Sequence, residues 1–111
     1  MSLLVERLNK AYQRELSKAL SLKSHDDVLK NITITEVRTT NDLSYTKVFY
    51  ICPKNLRGSC QEALEKAKGF LRSDLAKNVS ARKTPELIFQ YDEALEYGNH
   101  INEILNNINE K

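Results

Sequence analysis

The sequence of 111 residues contains no tryptophan, one methionine, two prolines, three glycines and two cysteines, and it has no long apolar run. Cys52 and Cys60 stand eight residues apart, which is not the CxxC spacing of a redox or zinc site, so we expect both thiols to be reduced. No run approaches the ~20 apolar residues that span a bilayer, and the charges at Glu6 and Arg7 come too early for a secretory signal. We therefore expect a cytoplasmic protein with no membrane partner.

Motifs for catalysis and cofactor binding are also missing. The sequence has no GxGxxG segment and no Walker loop, which argues against a nucleotide cofactor. His25 and His100 have no acid or cysteine at ligand spacing, and the paired carboxylates at 26–27 and 92–93 fall where they cap turns or helix starts. We expect no enzymatic activity, no cofactor, no metal site and no small-molecule substrate.

Charge of neither sign dominates the chain, whose formal net charge is +2. The distribution is uneven, because residues 54–83 carry +5 whereas residues 86–111 carry −5. This asymmetry predicts one basic face on a nearly neutral protein. An ordinary solvated surface with no binding role fits the same distribution, so both interpretations stay open at this point.

The first predicted element is an amphipathic helix from about Ser2 to Leu22. Its apolar side chains recur at helical spacing and are Leu4, Leu8, Tyr12, Leu16 and Leu20. A second stripe, about 150° away around the helix axis, consists of Arg7, Lys10, Arg14 and Lys18. We expect the first stripe to enter the core, and the second is either a solvated face or a cationic binding surface.

Two β-strands are predicted next. The β-branched run 32–40 gives the first strand, in which Val37 is out of phase with the apolar residues before it. A bulge or an edge is therefore expected near Glu36. A turn at 41–42 leads to a second strand over 45–51, and the short connection makes the pair an antiparallel hairpin.

A longer helix, a third strand and a last helix complete the order. Ser59 and Glu62 fit a capping box at the start of a helix that reaches about Asn78, and alternation over 87–91 predicts the third strand. Asp92 is a suitable N-cap for a last helix with apolar residues at Ala94, Tyr97, Ile101, Ile104, Leu105 and Ile108. The order α-β-β-α-kink-α-β-α predicts a single domain over residues 1–111 of the α+β class, with a three-stranded sheet packed by helices.

Gly69 is the most informative residue of the longer helix. The apolar pattern runs past it without a break, so helix is predicted on both sides. A glycine inside a helix costs about 1 kcal/mol relative to alanine, which predicts a kink or a close approach of another backbone. Packing of the bend against the sheet accounts for Ala67 and Gly69 as well as an approach by RNA does. The cations around the bend are Lys66, Lys68, Arg72 and Lys77.

Several further motifs occur in a recognisable order along the chain. They are TITEV at 33–37, DLSY at 42–45, AKGFLR at 67–72, Arg82, PELIF at 85–89, Asp92, Gly98 and Ile101. Over nearly its whole length the chain thereby resembles the bacterial ribosome-binding factor A family. The resemblance implies a KH-like fold of the second type, in which an Ala-x-Gly bend replaces the usual GxxG loop and matches 67–69 here. It also implies a factor that binds the small ribosomal subunit and its rRNA, promotes late maturation and rRNA processing, and supports growth in the cold.

The chain departs from the family pattern at three places. Asp27 and Val28 stand where the family usually has proline and arginine, and Thr46 stands where it usually has alanine. The serine often found two residues after Asp92 is also absent. These departures leave the expected fold unchanged and bear on the contacts of the first loop.

The resemblance and the charge pattern together give the candidate contacts to rRNA. The main candidates for phosphate contacts are Lys66, Lys68, Arg72, Lys77, Arg82 and Lys83, with Ala67 and Gly69 shaping the approach. A weaker second set is Arg7, Arg14 and Lys18. We expect a monomer that binds the small ribosomal subunit. The alternative function is a small α+β adaptor that binds a protein through its sheet edge or last helix, with a basic face that serves only solubility.

Overall fold

The computed structural model describes residues 2–95. Of the predicted last helix, only the first residues fall in this range, and Tyr97, Ile101, Ile104, Leu105 and Ile108 lie outside the described residues. No helix within the described range is long and apolar enough to cross a membrane.

The first helix, α1, spans Leu3–Lys18 and begins at a side-chain cap. The hydroxyl of Ser2 accepts a hydrogen bond from the backbone N–H of Val5 at 3.1 Å, which satisfies one of the free amides of the first turn. The buried stripe consists of Val5, Leu8, Tyr12 and Leu16. The expectation that Leu4 enters the core is wrong, because the buried stripe starts at Val5 and leaves Leu4 at its margin with 63% of its surface exposed.

The chain leaves α1 through a π-helical turn at Ala19–Lys23 and a short 3-10 helix at Leu29–Asn31. Between them, the Ser24 hydroxyl accepts from the Asp26 N–H at 3.0 Å, and the Asp26 carboxylate accepts from the Val28 N–H at 2.9 Å. Such local hydrogen bonds compete with helix, which explains why the helical chain is interrupted at 24–27.

The sheet has three strands, β1 at Thr33–Thr39, β2 at Tyr45–Ile51 and β3 at Glu86–Tyr91. Their order is β1-β2-β3, with β1 antiparallel and β3 parallel to the central β2. The register of β1 shifts between Ile34 and Glu36, which confirms the predicted bulge. Because of the shift, Ile34 and Val37 both face inward although they are three residues apart.

The second long helix, α2, spans Arg57–Asn78 and continues through Gly69 without interruption. It follows directly from a 3-10 turn at Lys54–Leu56, and no side chain caps its first turn. The predicted capping box is therefore wrong, because the 3-10 turn has already started the helical chain and Ser59 lies within the first turn of α2.

The end of β3 is fixed by Asp92. Its carboxylate accepts hydrogen bonds from the Thr35 hydroxyl at 2.6 Å and from the Leu95 N–H at 2.9 Å. These two bonds, in that order of size, lower the pKa of Asp92 below its usual value. The Leu95 bond confirms Asp92 as an N-cap at the point where the chain turns back to helix.

Both helices pack on one face of the sheet, α1 mainly against β1 and α2 mainly against β3. The alternating burial of β2 and β3 shows why, since every second residue of each strand enters the core and the others remain on the opposite face. This two-layer arrangement confirms the predicted α+β class. It also leaves an outer sheet face to which no described helix is packed.

Candidate nucleic-acid interface

Among the predicted sets of cations, the stripe on α1 is the one least engaged in ion pairs within the described residues. Arg7, Arg14 and Lys18 are all exposed, and so is Lys10 between them. Arg7, Arg14 and Lys18 have no acidic partner within the described part of the chain. Because they project from the helix face opposite the core, α1 presents a row of cations whose charge is available to an external anion.

The cations of α2 are partly engaged within their own helix. The Lys66 ammonium lies 3.0 Å from a carboxylate oxygen of Glu62, and the Lys68 ammonium lies 2.7 Å from Glu65. Surface pairs of this kind contribute less than about 1 kcal/mol, so a phosphate can displace them at a modest cost. Lys77 is exposed and has no acid partner among residues 2–95.

Of the two small residues, Ala67 packs against the hydrophobic core, as the alternative interpretation expected, whereas Gly69 does not. A Cβ atom built on Gly69 would meet nothing within 4 Å, so this glycine is not needed for contact with the sheet. Ala67 is half-buried and lines a shallow groove of about 290 Å³ between α2 and the 23–29 loop. Gly69 therefore leaves space on an exposed part of the helix, where an external backbone can come close.

The Gly69→Ala variant should consequently be more stable than the parent chain. Alanine improves helix propensity by roughly 0.5 to 1 kcal/mol and encounters no atom, so urea unfolding should show a higher midpoint. If rRNA approaches Gly69 closely, the same variant should bind small subunits more weakly. Parent-like binding together with higher stability would exclude a role for Gly69 in recognition.

Arg72 holds the connection before β3. Its Nε donates to the Pro85 carbonyl at 3.0 Å and its guanidinium donates to the Thr84 carbonyl at 3.1 Å, while a third nitrogen lies 3.4 Å from Glu86. Three contacts within the chain use most of the guanidinium donors. The structure thus places Arg72 in a scaffold role, with little left for a phosphate.

We expect Arg72→Gln to lower the free energy of unfolding by about 1 to 2 kcal/mol. Hydrogen bonds from a charged donor contribute about 1.5–3 kcal/mol, and partial exposure of Arg72 reduces that figure. Chemical denaturation measures the loss. Lys77→Gln is the matched control, because it removes an exposed cation of the same helix without a carbonyl contact, and equal stability of the two variants would contradict the scaffold role.

Arg82 and Lys83 lie beside the tip of the hairpin. The Lys83 ammonium is 3.3 Å from the Ser44 hydroxyl, and the Arg82 guanidinium donates to the Asp42 carbonyl at 3.4 Å. The turn itself is ordered by Asp42, whose pKa falls to about 2 because its carboxylate accepts hydrogen bonds from Thr40 first and then from Ser44. The two cations thus lie beside a turn that is ordered by hydrogen bonds, at the same end of the sheet as the Arg72 contacts.

The eleven predicted residues therefore form three groups rather than one surface. The first is the α1 stripe, the second comprises Lys66, Ala67, Lys68, Gly69 and Lys77 along α2, and the third is the hairpin end with Arg72, Arg82 and Lys83. No group of three or more histidine, cysteine or acidic side chains that could hold a metal ion occurs in residues 2–95.

Sequence reasoning missed Lys23, which joins the two helices. Its ammonium lies 2.8 Å from the Glu15 carboxylate in α1 and 2.7 Å from the Asp74 carboxylate in α2. Burial alone would raise the pKa of Asp74, but hydrogen bonds with Glu15, Lys23 and Asn78 outweigh it and lower the pKa. An aspartate on the otherwise apolar face of α2 was the available signal, because a buried carboxylate needs a cation.

The family departures are also explained in part. Thr46 is fully buried on the inner sheet face, where its hydroxyl bonds to that of Thr39 at 2.9 Å and both polar groups are satisfied. Val28 packs against the core, and Asp27 is exposed and accepts a hydrogen bond from Asn31 through its carbonyl. The first loop is therefore built without the proline and arginine usual in the family.

Comparison with known proteins shows which family has a similar sequence. A family model described as Ribosome-binding factor A matches residues 5–105. The chain is 42% identical over 110 residues to the Ribosome-binding factor A of Streptococcus thermophilus, with 96% of this chain and 94% of that protein covered.

Solved structures give the same result. The crystal structure of ribosome-binding factor A from Thermus thermophilus is similar at a TM-score of 0.71 and 26% identity, over 78% of this chain and 93% of that one. A homology model of the Thermus thermophilus factor, fitted into a cryo-EM map of a 30S–RbfA complex, is similar at a TM-score of 0.65 and 26% identity, over 85% and 97%. These matches confirm the resemblance drawn from the motifs and the KH-like fold that it implied.

Proposed function

Because the chain belongs to the ribosome-binding factor A family, we propose that it binds the small ribosomal subunit and its rRNA as a non-enzymatic assembly factor. In this proposal it acts in the cytoplasm as a monomer, promotes late maturation and rRNA processing, and supports growth at low temperature. The observation that carries the proposal is 42% identity to a Ribosome-binding factor A across 96% of the chain.

Two observations support the small ribosomal subunit as the partner: a relative of the same fold and the exposed positive charge of α1. A Thermus thermophilus relative of the same fold has been fitted into a map of a 30S–RbfA complex, which supports the small subunit as the partner here. The exposed cations of α1 supply what an rRNA backbone requires, since each lysine or arginine that neutralises a phosphate releases a bound counterion. A row of cations with no acid partner among residues 2–95 supports binding to phosphate better than side chains already engaged with acids.

Maturation is proposed to depend on binding rather than on bond chemistry. The candidate residues present cations in three groups, and the sequence contains neither a GxGxxG segment nor a Walker loop. A factor of this kind acts by stabilising one arrangement of rRNA against others, because a ligand shifts a conformational equilibrium by its differential affinity.

The experiment that tests the proposal is direct binding of the purified full chain to purified small and large subunits, followed by sedimentation. We expect co-sedimentation with small subunits only, weakened by salt. Deleting the gene should then lead to accumulation of immature small subunits and slow growth at low temperature. Association with a protein complex that contains no RNA, and none with small subunits, would refute the proposal and favour the adaptor.

A further inference from the structure

The outer face of the sheet carries a second cluster of cations and aromatic rings. Arg38 in β1, Lys47 in β2 and Ile88 in β3 lie side by side across the three strands. Tyr45 and Phe49 flank this row on the central strand, and the whole set lines a shallow hollow of about 410 Å³. Alternation of the strands predicts this placement, since residues two apart share a face.

The central pair has like charge. Arg38 and Lys47 are direct cross-strand partners, an arrangement that destabilises a sheet. Both cations approach the Phe49 ring, at 5.4 Å and 5.9 Å from its centroid, and the Arg38 Nε also lies 3.1 Å from Glu36. Lys47 has no carboxylate partner in residues 2–95. An anion bound between the two cations would relieve the repulsion that the folded chain leaves in place.

Exposed apolar side chains adjoin the charged pair. Tyr45, at the start of β2, keeps 51% of its surface exposed, and Ile88, in the edge strand β3, keeps 41%, although both are large apolar groups. Cations placed beside exposed aromatic rings on a sheet form the combination that binds single-stranded nucleic acid, in which bases stack on rings and phosphates meet the cations.

We propose that this outer face is a second rRNA contact, which takes an unpaired segment with one base stacked on Tyr45 and the adjacent phosphates on Arg38 and Lys47. The inference rests on the proposed function and deepens it by naming the form of RNA. An unpaired segment is required because a base within a duplex cannot present its flat face to a side chain. The anionic backbone also matches the like-charged pair, which an apolar protein surface would leave uncompensated.

The test compares variants of the full chain for binding to a short fluorescein-labelled oligoadenylate, to the same sequence as a duplex, and to small subunits. Tyr45→Ala should weaken binding to the single strand about 5- to 100-fold, and Tyr45→Phe, which keeps the ring, should bind like the parent. The chain has no tryptophan, so Tyr45→Trp adds a single reporter whose fluorescence should be quenched by the single strand.

A charge variant separates binding from folding. Arg38→Gln with Lys47→Gln should reduce the salt slope for the single strand by about 1.4, which is about 0.7 per lost contact, while its melting temperature stays equal or rises because the like-charge pair is gone. Lys30→Gln is the matched control, because Lys30 is an exposed lysine outside the sheet. Its one ion pair in the described residues, with Asp27, is long at 3.9 Å. That control should bind and melt like the parent.

Each other outcome overturns the inference in a distinguishable way. If Tyr45→Ala loses small subunits but keeps the oligoadenylate, a ribosomal protein occupies the face. If Tyr45→Ala binds normally but melts lower, the face is covered by residues of the chain itself. If both Tyr45→Ala and the charge variant bind like the parent while α1 variants lose subunits, the proposed function stands and the second contact does not exist. If the parent binds no small subunits, the proposed function fails first.

Discussion

The Lys23→Met variant is expected to melt about 10 to 15 °C below the parent chain. Met keeps the length of the side chain but removes the cation that lies between Glu15 and Asp74, whose carboxylates are only 13% and 8% exposed. A buried pair that loses one partner leaves an uncompensated charge, and in a domain of this size a loss of 1 kcal/mol corresponds to about 4–8 °C. Thermal unfolding followed by circular dichroism measures the shift.

The pH dependence of this variant should have a definite sign. In the parent, the pKa of Asp74 is lowered, so the stability from its ionised form is present above about pH 4 and is lost as pH falls further. Without Lys23, fewer contacts oppose the effect of burial, so the pKa of Asp74 should be higher than in the parent. The melting difference from the parent should therefore be largest at neutral pH and shrink as pH falls toward about 4.

Two control variants make the interpretation specific. Lys30→Met removes an exposed lysine that lies 3.9 Å from the almost fully exposed Asp27, and it should melt like the parent. Lys23→Met combined with Asp74→Asn removes the cation and its buried partner together, so part of the lost stability should return. A double variant as unstable as Lys23→Met alone would show that Lys23 acts through packing instead of charge.

The strands could be read from sequence because their signals are local. β2 has the predicted bounds, and the bulge in β1 was expected from Val37 alone, since a side chain out of phase with its neighbours needs an extra residue to face the core. Asp92 was likewise predicted as a cap from the residues around it. The start of α2 was missed, because the 3-10 turn at Lys54–Leu56 has no distinctive motif.

Partners distant in sequence could not be predicted in this way. Arg72 meets carbonyl oxygens twelve and thirteen residues away, and Lys23 meets Asp74 fifty-one residues away. The sequence does not distinguish these acceptors from any other carboxylate or carbonyl that could bind either cation. Composition thus identified which residues carry charge, but only the packing of α1 against α2 and of α2 against β3 shows which charges remain available.

The ranking of the candidate RNA contacts is reversed when cations already paired within the chain are distinguished from those that are not. The sequence favoured Lys66, Lys68 and Arg72 of α2, which are engaged with Glu62, Glu65 and the loop before β3. It treated Arg7, Arg14 and Lys18 as secondary, yet these side chains are exposed along one face of α1 and have no acid partner among residues 2–95. We infer that the cations of α1 contribute more counterion release per residue than those of α2.

Two triple variants test this ranking under the proposed function. A footprint of about five phosphates implies roughly 500-fold weaker binding to small subunits between about 50 and 200 mM salt. Arg7, Arg14 and Lys18 changed to glutamine should lower the salt slope by about 2.7, which is about 0.9 per lost contact. Lys66, Lys68 and Lys77 changed to glutamine remove the same charge but should lower the slope by only about one, because two of these cations already neutralise an acid.

The measurement is the affinity of each triple variant for purified small subunits over a salt series, beside its thermal melt. All six side chains lie on the surfaces of helices, so each substitution should change the free energy of unfolding by less than about 0.5 kcal/mol. Loss of binding can then be assigned to charge and not to unfolding. Equal falls in slope would mean that phosphates displace Glu62 and Glu65 freely, and a larger fall for the α2 variant would restore the helix around Gly69 as the main contact.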